Sequence, residues 1–275
     1  MRAARAASST ASGLPSSDPR PARCGPAAQD LISFVMRHIH RFFVKQEIDT
    51  GQSATLASED AFHATRVLRL KPGVRVELAD PGGRVYAGEV LEVGERVLVK
   101  AVELLAGAGL ESGLTVAQAI PRGRRMDLVV EKLSELGVDR LVPVWTDNSV
   151  SPPEAGGEKM GRWRRLARAA AAQSKRDSVM TVEEPSGLSG WAAGARGLIV
   201  LATENDPPPL GGVLDGLEPP LSLVIGPEAG FSQAELSGLE SCGAAFGSLG
   251  GLVLRTETAA LVAATIVLHH MGRLG

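Results

Sequence analysis

The feature that most constrains the fold is an alternation, from residue 114 onward, of short apolar runs and segments with helically spaced apolar residues. Residues 114–120 have the composition of a buried strand, and apolar residues then recur every three or four positions over 126–136. Gly137 stands where a left-handed helix cap is expected, and residues 138–145 return to a strand pattern. This alternation predicts a mostly parallel α/β sheet.

The same alternation continues to the carboxyl terminus. A second helix is predicted over 158–174, and Ser232 with Glu235 has the pattern of a capping box that opens another. Residues 257–271 are apolar almost all round, which predicts a helix buried in the core or at a subunit interface. The remaining predicted strands are residues 198–202, 221–225 and 246–249.

Residues 36–105 carry a different pattern, in which short alternating segments are separated by turn signals. The segments at 74–78, 85–93 and 96–102 predict a meander of strands, so we expect a small β-barrel domain over 36–105. A glycine- and alanine-rich linker follows, and the α/β domain is predicted over 110–275.

Residues 1–35 are rich in alanine, serine, proline and arginine, a composition that cannot bury enough apolar surface to fold. The scarcity of acids fits an organellar transit peptide, but four prolines disfavour the amphipathic helix that such a peptide needs. The alternative is a dispensable, disordered extension upstream of Met36. We favour this alternative, and with it a cytoplasmic protein.

Several classes of protein are disfavoured. The longest apolar run, 259–268, is shorter than the ~18 residues that a membrane-spanning helix needs. The two cysteines, Cys24 and Cys242, predict neither a zinc site nor a disulfide framework. His38 and His40 lack a third ligand, so no metal is expected. The net charge of −2 by itself neither favours nor disfavours a nucleic-acid partner.

Three glycine-containing or polar segments each follow a predicted strand: residues 201–204, 225–232 and 249–258. In open α/β sheets ligands bind at the carboxyl ends of strands, and glycine lets backbone approach a ligand closely. Each segment alone fits ordinary turn chemistry. Together they indicate a small-molecule site without identifying the ligand.

Basic residues form two islands. Arg122, Arg124 and Arg125 occupy a predicted strand-to-helix loop, and residues 158–176 hold seven lysines or arginines against one acid. A solvated helix face is the ordinary explanation. Because both islands neighbour the candidate ligand loops, contact with an RNA backbone is the alternative.

The segments 249–259 and 225–232 closely resemble the RsmE family, bacterial methyltransferases that act on uracil N3 in 16S ribosomal RNA. Further similar segments follow in the family's order: residues 41–44, 67–70, 125–127, 132–137 and 172–176. The resemblance implies an α/β fold of SPOUT type, with a parallel sheet and a carboxyl-terminal trefoil knot, preceded by a small PUA-like β-barrel. It also implies a homodimer that uses S-adenosyl-L-methionine and acts on the 30S subunit.

Uridine N3 is a poor nucleophile while it carries its proton, so an enzyme that methylates it must remove or share that proton. We therefore expect Arg255 to stabilise charge on the uracil oxygens, and Glu257 or Glu228 to accept the N3 proton or to orient the cofactor. The alternative for Arg255 is a structural ion pair with Glu257. The expected cofactor-binding residues are Leu201, Thr203, Glu204, Ile225, Gly226, Pro227, Glu228, Gly230, Leu249, Leu254 and Thr258. The expected RNA-binding residues are Arg37, Arg41, Arg66, Arg69, Arg122, Arg124, Arg165 and Arg176.

The chain departs from the family pattern at four places. Ala229 stands at a usual glycine, Arg122 at a usual lysine, Met180 at a usual proline, and Asp147 with Asn148 in a segment that usually carries arginine. The acid at 147 is expected near the RNA-binding face. Two other functions remain open: a SPOUT methyltransferase with another RNA target, and a non-catalytic RNA-binding assembly factor.

Overall fold

The computed structural model describes residues 39–109, 112–149, 157–203 and 206–275. The predicted extension over 1–35, the predicted RNA-binding Arg37 and the predicted cofactor-binding Glu204 lie outside these residues. Residues 40–275 belong to one compact unit.

An amino-terminal sheet contains the predicted meander. Its order is β1-β3-β4-β5-β2, and every pair is antiparallel except β1 with β3. Alternate residues of β3 and β5 point into one core, in which Val76, Leu78, Val97 and Val99 are at most 1% exposed. The strands are β1 (Arg41–Phe43), β2 (Ser53–Thr55), β3 (Arg75–Ala79), β4 (Val85–Val93) and β5 (Val97–Ala106).

A short helix lies between β2 and β3. Helix α1 (Ser58–Phe62) runs directly into one π-helical turn (His63–Val67). Ala61 and Ala64 pack into the core of the amino-terminal sheet, while Phe62 and Val67 are exposed. Arg69 then adopts a left-handed backbone conformation (φ 52°), which is uncommon for a residue other than glycine.

The second sheet is parallel throughout, as the alternation of apolar runs and helical segments predicted. Its order is β12-β10-β11-β6-β7-β8, with β9 also paired to β7. The strands are β6 (Leu114–Ala119), β7 (Arg140–Trp145), β8 (Thr181–Val182), β9 (Ser186–Gly187), β10 (Leu198–Leu201), β11 (Leu221–Ile225) and β12 (Ala245–Gly247).

In the described part of the chain, six helices cover the two faces of this sheet. Helices α2, α3, α5 and α7 contribute to one hydrophobic core, and α4 and α6 to the other. Helix α2 ends at Gly137 with φ 99°, which confirms the predicted left-handed cap. The helices are α2 (Arg125–Leu136), α3 (Glu158–Gln173), α4 (Leu188–Ala192), α5 (Leu210–Leu214), α6 (Gln233–Ser241) and α7 (Thr256–His270).

Helix α7 has the burial that its sequence predicted, since Ala260, Ala263, Ala264 and Val267 are fully buried in the core. Neither it nor any other described helix is long and apolar enough to cross a membrane.

A polar cluster, here called the junction, joins the amino-terminal sheet to the segment that follows α3. The Arg41 guanidinium lies 2.9 Å from Glu77 Oε2 and donates to the carbonyl oxygens of Lys175 and Arg176. Lys175 Nζ also lies 2.9 Å from Glu77 Oε2. The Glu77 carboxylate therefore pairs with one cation from the amino-terminal sheet, Arg41, and one from the segment after α3, Lys175.

The junction corrects two RNA-binding assignments. The side chains of Arg41 and Arg176 are only 11% and 10% exposed. Arg176 donates to the carbonyl oxygens of Ser134 and Val138, at 2.9 and 2.8 Å. Because protein acceptors already occupy these guanidinium groups, we remove both residues from the RNA-binding set.

Candidate functional site

The carboxyl ends of the central strands lie in one row. Gly247 pairs with Leu201, Leu201 with Ile225, Ile225 with Gln118, and Gln118 with Pro143. The loops that follow these strands therefore leave the same edge of the sheet, and the structure brings together the three segments that the sequence singled out. We call this region the carboxyl edge.

The loop after β12 offers backbone rather than side chains. Within the described part of the chain, no hydrogen bond partner is found for the amides and carbonyls of residues 249–254. Leu252 and Val253 at its tip are 80% and 88% exposed. A stretch of exposed, unpaired backbone beside glycine is suited to binding the polar edge of a small molecule.

The loop after β11 is held tightly. A Cβ atom on Gly226 would lie 2.9 Å from the Phe231 ring, so any larger residue would force that ring to move. Asn148 donates to the Gly230 carbonyl at 3.0 Å, which ties the loop to the end of β7. The side chain of Ile225 is buried in the core, so only its backbone can face a ligand.

Asp147 also has a structural partner. Ser232, the N-cap of α6, donates to Asp147 Oδ2 at 2.6 Å, and the Asp147 amide donates to Glu235 at 2.9 Å. Ser232 and Glu235 form the capping box that the sequence predicted. The acid at 147 thus extends this cap, a role that local sequence patterns did not reveal.

A buried polar chain joins β6, β11 and the start of α7. Thr256 Oγ1 donates to the Gly226 carbonyl at 2.6 Å and accepts from Gln118 Nε2 at 2.9 Å. Gln118 is fully buried, yet its Oε1 has no hydrogen bond partner among the described residues. Sequence analysis missed Gln118, because a single glutamine in an apolar strand carries no distinctive pattern.

Glu257 has a second unpartnered buried oxygen. Its side chain is 10% exposed, and Oε1 lies 3.7 Å from Arg125 Nε. No donor from the described part of the chain reaches Oε2. Leaving a buried acceptor unsatisfied costs about 1–3 kcal/mol, so such an atom needs an explanation, and a ligand that donates a hydrogen bond provides one.

Arg255 precedes the first turn of α7 and is exposed. Within the described ranges it has no ion pair or hydrogen bond through its side chain. The alternative role for Arg255, a structural ion pair with Glu257, is therefore wrong, because Arg125 takes that place. The guanidinium of Arg255 is left available to a ligand.

Arg125 connects two acids of the site. Its guanidinium lies 2.6 Å from Glu228 Oε1 and 3.7 Å from Glu257 Oε1. The Arg122 amide also donates to Glu228 Oε1, at 3.3 Å. Burial raises the pKa of Glu228, but hydrogen bonds from its own amide, from Arg122 and from Arg125 outweigh this effect, so the pKa lies below its ordinary value.

Comparison with known proteins places this geometry in a family. A model described as an RNA methyltransferase domain matches residues 110–268, and one described as an RNA methyltransferase PUA domain matches residues 56–101. A ribosomal RNA small subunit methyltransferase E from Mycobacterium bovis is 32% identical, over 81% of this chain and 88% of that protein. The chain belongs to the RsmE family of RNA methyltransferases.

Other known proteins are also similar to this chain over most of its length. The corresponding enzyme of Synechocystis is 29% identical, over 84% of this chain and 77% of its own. A putative methyltransferase from Legionella pneumophila, solved with bound S-adenosylmethionine, is 28% identical with a TM-score of 0.75, and covers 85% of this chain and 98% of its own. A ribosomal RNA small subunit methyltransferase E from Neisseria gonorrhoeae shares the fold, with a TM-score of 0.73 over 82% and 95% of the two chains.

The remaining predicted site residues of this RsmE-family chain lie as follows. Leu201, Leu249 and Leu254 are half-buried at the carboxyl edge, Pro227 is buried, and Thr258 is exposed in the first turn of α7. Thr203 is also exposed, in the segment after β10. The predicted RNA-binding residues that are exposed are Arg66, Arg69, Arg122, Arg124 and Arg165.

Proposed function

We propose that this protein transfers a methyl group from S-adenosyl-L-methionine to N3 of a uridine in 16S ribosomal RNA, on the assembled 30S subunit. The observation that carries the proposal is the carboxyl edge itself. Three loops leave that edge, and the backbone groups of residues 249–254 are unpaired within the described ranges. The exposed Arg255 stands two residues before Glu257, whose Oε2 has no partner among the described residues. Membership of an RNA methyltransferase family supplies the reaction class.

The loops after β10, β11 and β12 would hold the cofactor. Free backbone groups at 249–254 suit an adenine edge, and the buried Gln118 Oε1 can accept one further hydrogen bond. The Legionella relative binds S-adenosylmethionine, which supports the same ligand here. When bound, this cofactor supplies an electrophilic methyl group on a sulfonium.

We further propose that these loops form a SPOUT-type trefoil knot. The strand order β12-β10-β11 makes the chain cross over β10 on its way from β11 to β12. After β12 the chain pairs with the segment that follows β10, since Ser248 donates to Pro208 O and Leu210 donates to Ser248 O. Two segments that are 40 residues apart therefore run side by side where the knot would close.

A second copy of the chain would cover the tip of the loop after β12. Leu252 and Val253 are almost fully exposed, and Val262 on α7 is 37% exposed. Leu252 and Val253 are adjacent in the chain, and a contiguous exposed apolar patch marks an interaction site. A homodimer built on this surface agrees with the expectation from the sequence.

For catalysis, N3 of uridine must lose its proton, because the protonated nitrogen is a poor nucleophile. We assign Glu257 as the acceptor of that proton through Oε2, and Arg255 as the group that stabilises negative charge on the uracil oxygens. The N3–H bond would break toward Glu257, the methyl group would pass from the cofactor sulfur to N3 with loss of the S–CH3 bond, and S-adenosylhomocysteine would be the second product. Positioning and electrostatics then provide the rate, without a covalent enzyme intermediate.

Glu257 is preferred to Glu228 as the acceptor. Glu228 Oε1 already accepts from Arg122 and Arg125, and its pKa is lowered, so it is a weak base. Glu257 Oε2 has no hydrogen-bond donor among the described residues, and Glu257 lies in the first turn of α7, two residues after Arg255. Glu228 would instead hold the cofactor loop in place.

RNA would be bound by exposed arginines of both modules. Arg66 and Arg69 lie on and just after the π-helical turn of the barrel domain, proposed as 36–105. Arg122, Arg124 and Arg165 lie on the methyltransferase domain, proposed as 110–275. Phosphate contacts of this kind fix register and orientation on the RNA without reading its sequence.

The test is methyl transfer from labelled S-adenosyl-L-methionine to unmethylated 30S subunits and to naked 16S RNA, followed by nucleoside identification. We expect labelled 3-methyluridine, and more of it from 30S subunits. Another labelled nucleoside would overturn the target but keep the methyltransferase. Absence of both label and cofactor binding would instead indicate a non-catalytic assembly factor.

A further inference from the structure

A cleft of about 660 Å³ lies beside the carboxyl edge, between the loop after β6 and the first turns of α2 and α3. Its floor is apolar, formed by Ile120, Met126 and Trp163, which are 9%, 1% and 4% exposed. The volume falls within the range of about 300–1,000 Å³ that is typical of small-molecule pockets. The cleft is therefore large enough for a nucleotide.

The rim of the cleft is cationic. Arg122, Arg124, Lys159 and Arg162 line it together with a single carboxylate, Asp127. Asp127 pairs with Arg162, at 2.7 Å. Among the residues that the structure describes, no carboxylate pairs with the side chains of the other three. Three cations that have no carboxylate partner among the described residues, above an apolar floor, form a site for an anion that also carries an apolar body.

We propose that this cleft binds one unpaired nucleotide of the RNA substrate, next to the base that is methylated. Arg122 and Lys159 would hold its phosphate, and the base or ribose would lie on the floor over Met126 and Trp163. Asp127 would supply an acceptor for a base N–H or a ribose hydroxyl. The inference rests on the proposed function, because it takes the substrate to be RNA.

Charge-assisted hydrogen bonds from arginine to phosphate are among the strongest polar contacts, and a basic groove with an apolar platform is the general arrangement for single-stranded nucleic acid. A solvated basic helix face would not need a cavity. The concave shape and the buried floor distinguish this site from the exposed arginines of the barrel.

The cleft also adjoins the cofactor loop. Arg122 contributes its side chain to the rim and its amide to Glu228 Oε1, at 3.3 Å. Arg125, the next residue but two, binds the same carboxylate oxygen. A nucleotide in the cleft would thus lie one loop away from the cofactor, where the neighbour of a flipped-out target base is expected.

The test is the double variant Arg122→Ala/Lys159→Ala, measured against the matched control Arg140→Ala/Arg196→Ala. The control removes the same charge at the opposite, amino-terminal edge of the sheet, where Arg140 begins β7 and Arg196 precedes β10. Three quantities are measured for both: the dissociation constant of a ten-residue oligouridylate over a salt series, the KM for unmethylated 30S subunits, and the dissociation constant of S-adenosylhomocysteine.

We expect the cleft variant to weaken oligouridylate binding and raise the KM at least tenfold, and the control to change both less than twofold. The slope of log affinity against log salt should fall by about one in the cleft variant. S-adenosylhomocysteine should bind both variants as it binds the unmodified protein, which also reports that they fold.

A second titration separates a nucleotide site from a simple anion site. Uridine 5′-monophosphate should bind the unmodified protein at least fivefold more tightly than inorganic phosphate, because the floor contributes to binding. Equal affinities would overturn the role of the floor. Equal losses of RNA affinity in the cleft variant and the control would overturn the cleft itself.

The experiments can overturn the cleft proposal and the proposed function independently of each other. If the unmodified protein methylates 30S subunits and the cleft variant does so with unchanged KM and RNA affinity, the cleft proposal is wrong and the function stands. If the unmodified protein transfers no methyl group although the cleft variant loses RNA affinity, the cleft stands and the function is wrong.

Discussion

The junction and the carboxyl edge both contain several charged side chains, but the two regions differ in how many of those charged groups have a protein partner. At the junction, Glu77 Oε2 receives Arg41 and Lys175, each at 2.9 Å. At the carboxyl edge, Glu257 keeps an oxygen without a described partner, and the Arg255 side chain has no partner among the described residues. Polar groups that the protein satisfies hold its parts together, whereas buried groups that it leaves unsatisfied indicate a ligand.

Helix α3 takes part in both regions. Arg168 lies 2.5 Å from Asp60, donates to the Phe43 carbonyl and has its guanidinium 5.4 Å from the centre of the Phe43 ring, so it belongs with the junction. Lys159 and Arg162, from the first turn and a half of the same helix, line the cleft instead. The second half of this basic helix therefore makes structural contacts, and in our proposal its first turns bind RNA.

The largest expected effect is that of Arg255→Ala. Loss of the cation that stabilises developing charge should lower kcat about 100- to 1,000-fold, the usual cost of removing such a donor. Affinity for S-adenosylhomocysteine should stay within threefold. The contrasting variant Arg168→Ala should lower the melting temperature and leave kcat nearly unchanged. If Arg255→Ala methylated at the full rate, the unpaired cation of the carboxyl edge would have no role in catalysis, and the functional difference between the two regions would be disproved.

Glu257→Gln should reduce the methylation rate about 100-fold at neutral pH, because general-base catalysis contributes about 10²–10⁴-fold. The variant should recover activity as the pH rises, since uridine N3–H then ionises without an acceptor. The measurement is single-turnover methylation across the alkaline range. A variant rate that stays parallel to that of the unmodified protein at every pH would exclude Glu257 as the acceptor.

Arg125→Ala should have an intermediate effect, about tenfold on kcat/KM, because Arg125 is a positioning residue that acts through Glu228 and Glu257. We expect weaker binding of S-adenosylhomocysteine, since the loop after β11 loses its anchor. Arg125→Lys should restore binding only in part, as one ammonium cannot replace a guanidinium that reaches two carboxylates. Rescue of kcat without rescue of cofactor affinity would contradict this role.

Glu77→Gln should have the smallest effect on activity and a clear effect on stability. The hydrogen bonds that Glu77 loses are to cations, so the free energy of unfolding should fall by about 1–3 kcal/mol. Urea denaturation measures this change, and kcat at 25 °C should be unaltered. A large loss of kcat with unchanged stability would mean that the junction takes part in the reaction.

The stability effect of Glu77 should depend on pH. Burial raises its pKa, but hydrogen bonds from Lys175 and Arg41 and their charges outweigh this, so the folded pKa lies below the ordinary value of 4.5. The stabilisation is therefore complete above pH 4.5 and is lost as the pH falls through the folded pKa. The difference in stability between the unmodified protein and Glu77→Gln should shrink over that acidic range.

Local patterns in the sequence determined the parallel α/β sheet, the meander before it, the cap at Gly137 and the capping box at Ser232. Each of these depends on residues that are close along the chain, where spacing and turn chemistry are sufficient. The convergence of the three candidate ligand loops on one edge was also predictable, because each follows an apolar strand of the same sheet.

Only the tertiary structure decided what individual charged residues do. Arg41 and Arg176 resemble RNA-binding residues in the sequence, but Arg41 meets its carbonyl acceptors 134 and 135 residues away. Arg125 finds Glu228 across 103 residues, and Asp147 finds Ser232 across 85. A charged side chain carries no local signal of its distant partner, so the fold alone determines whether a cation is buried in a structural contact or left for a ligand.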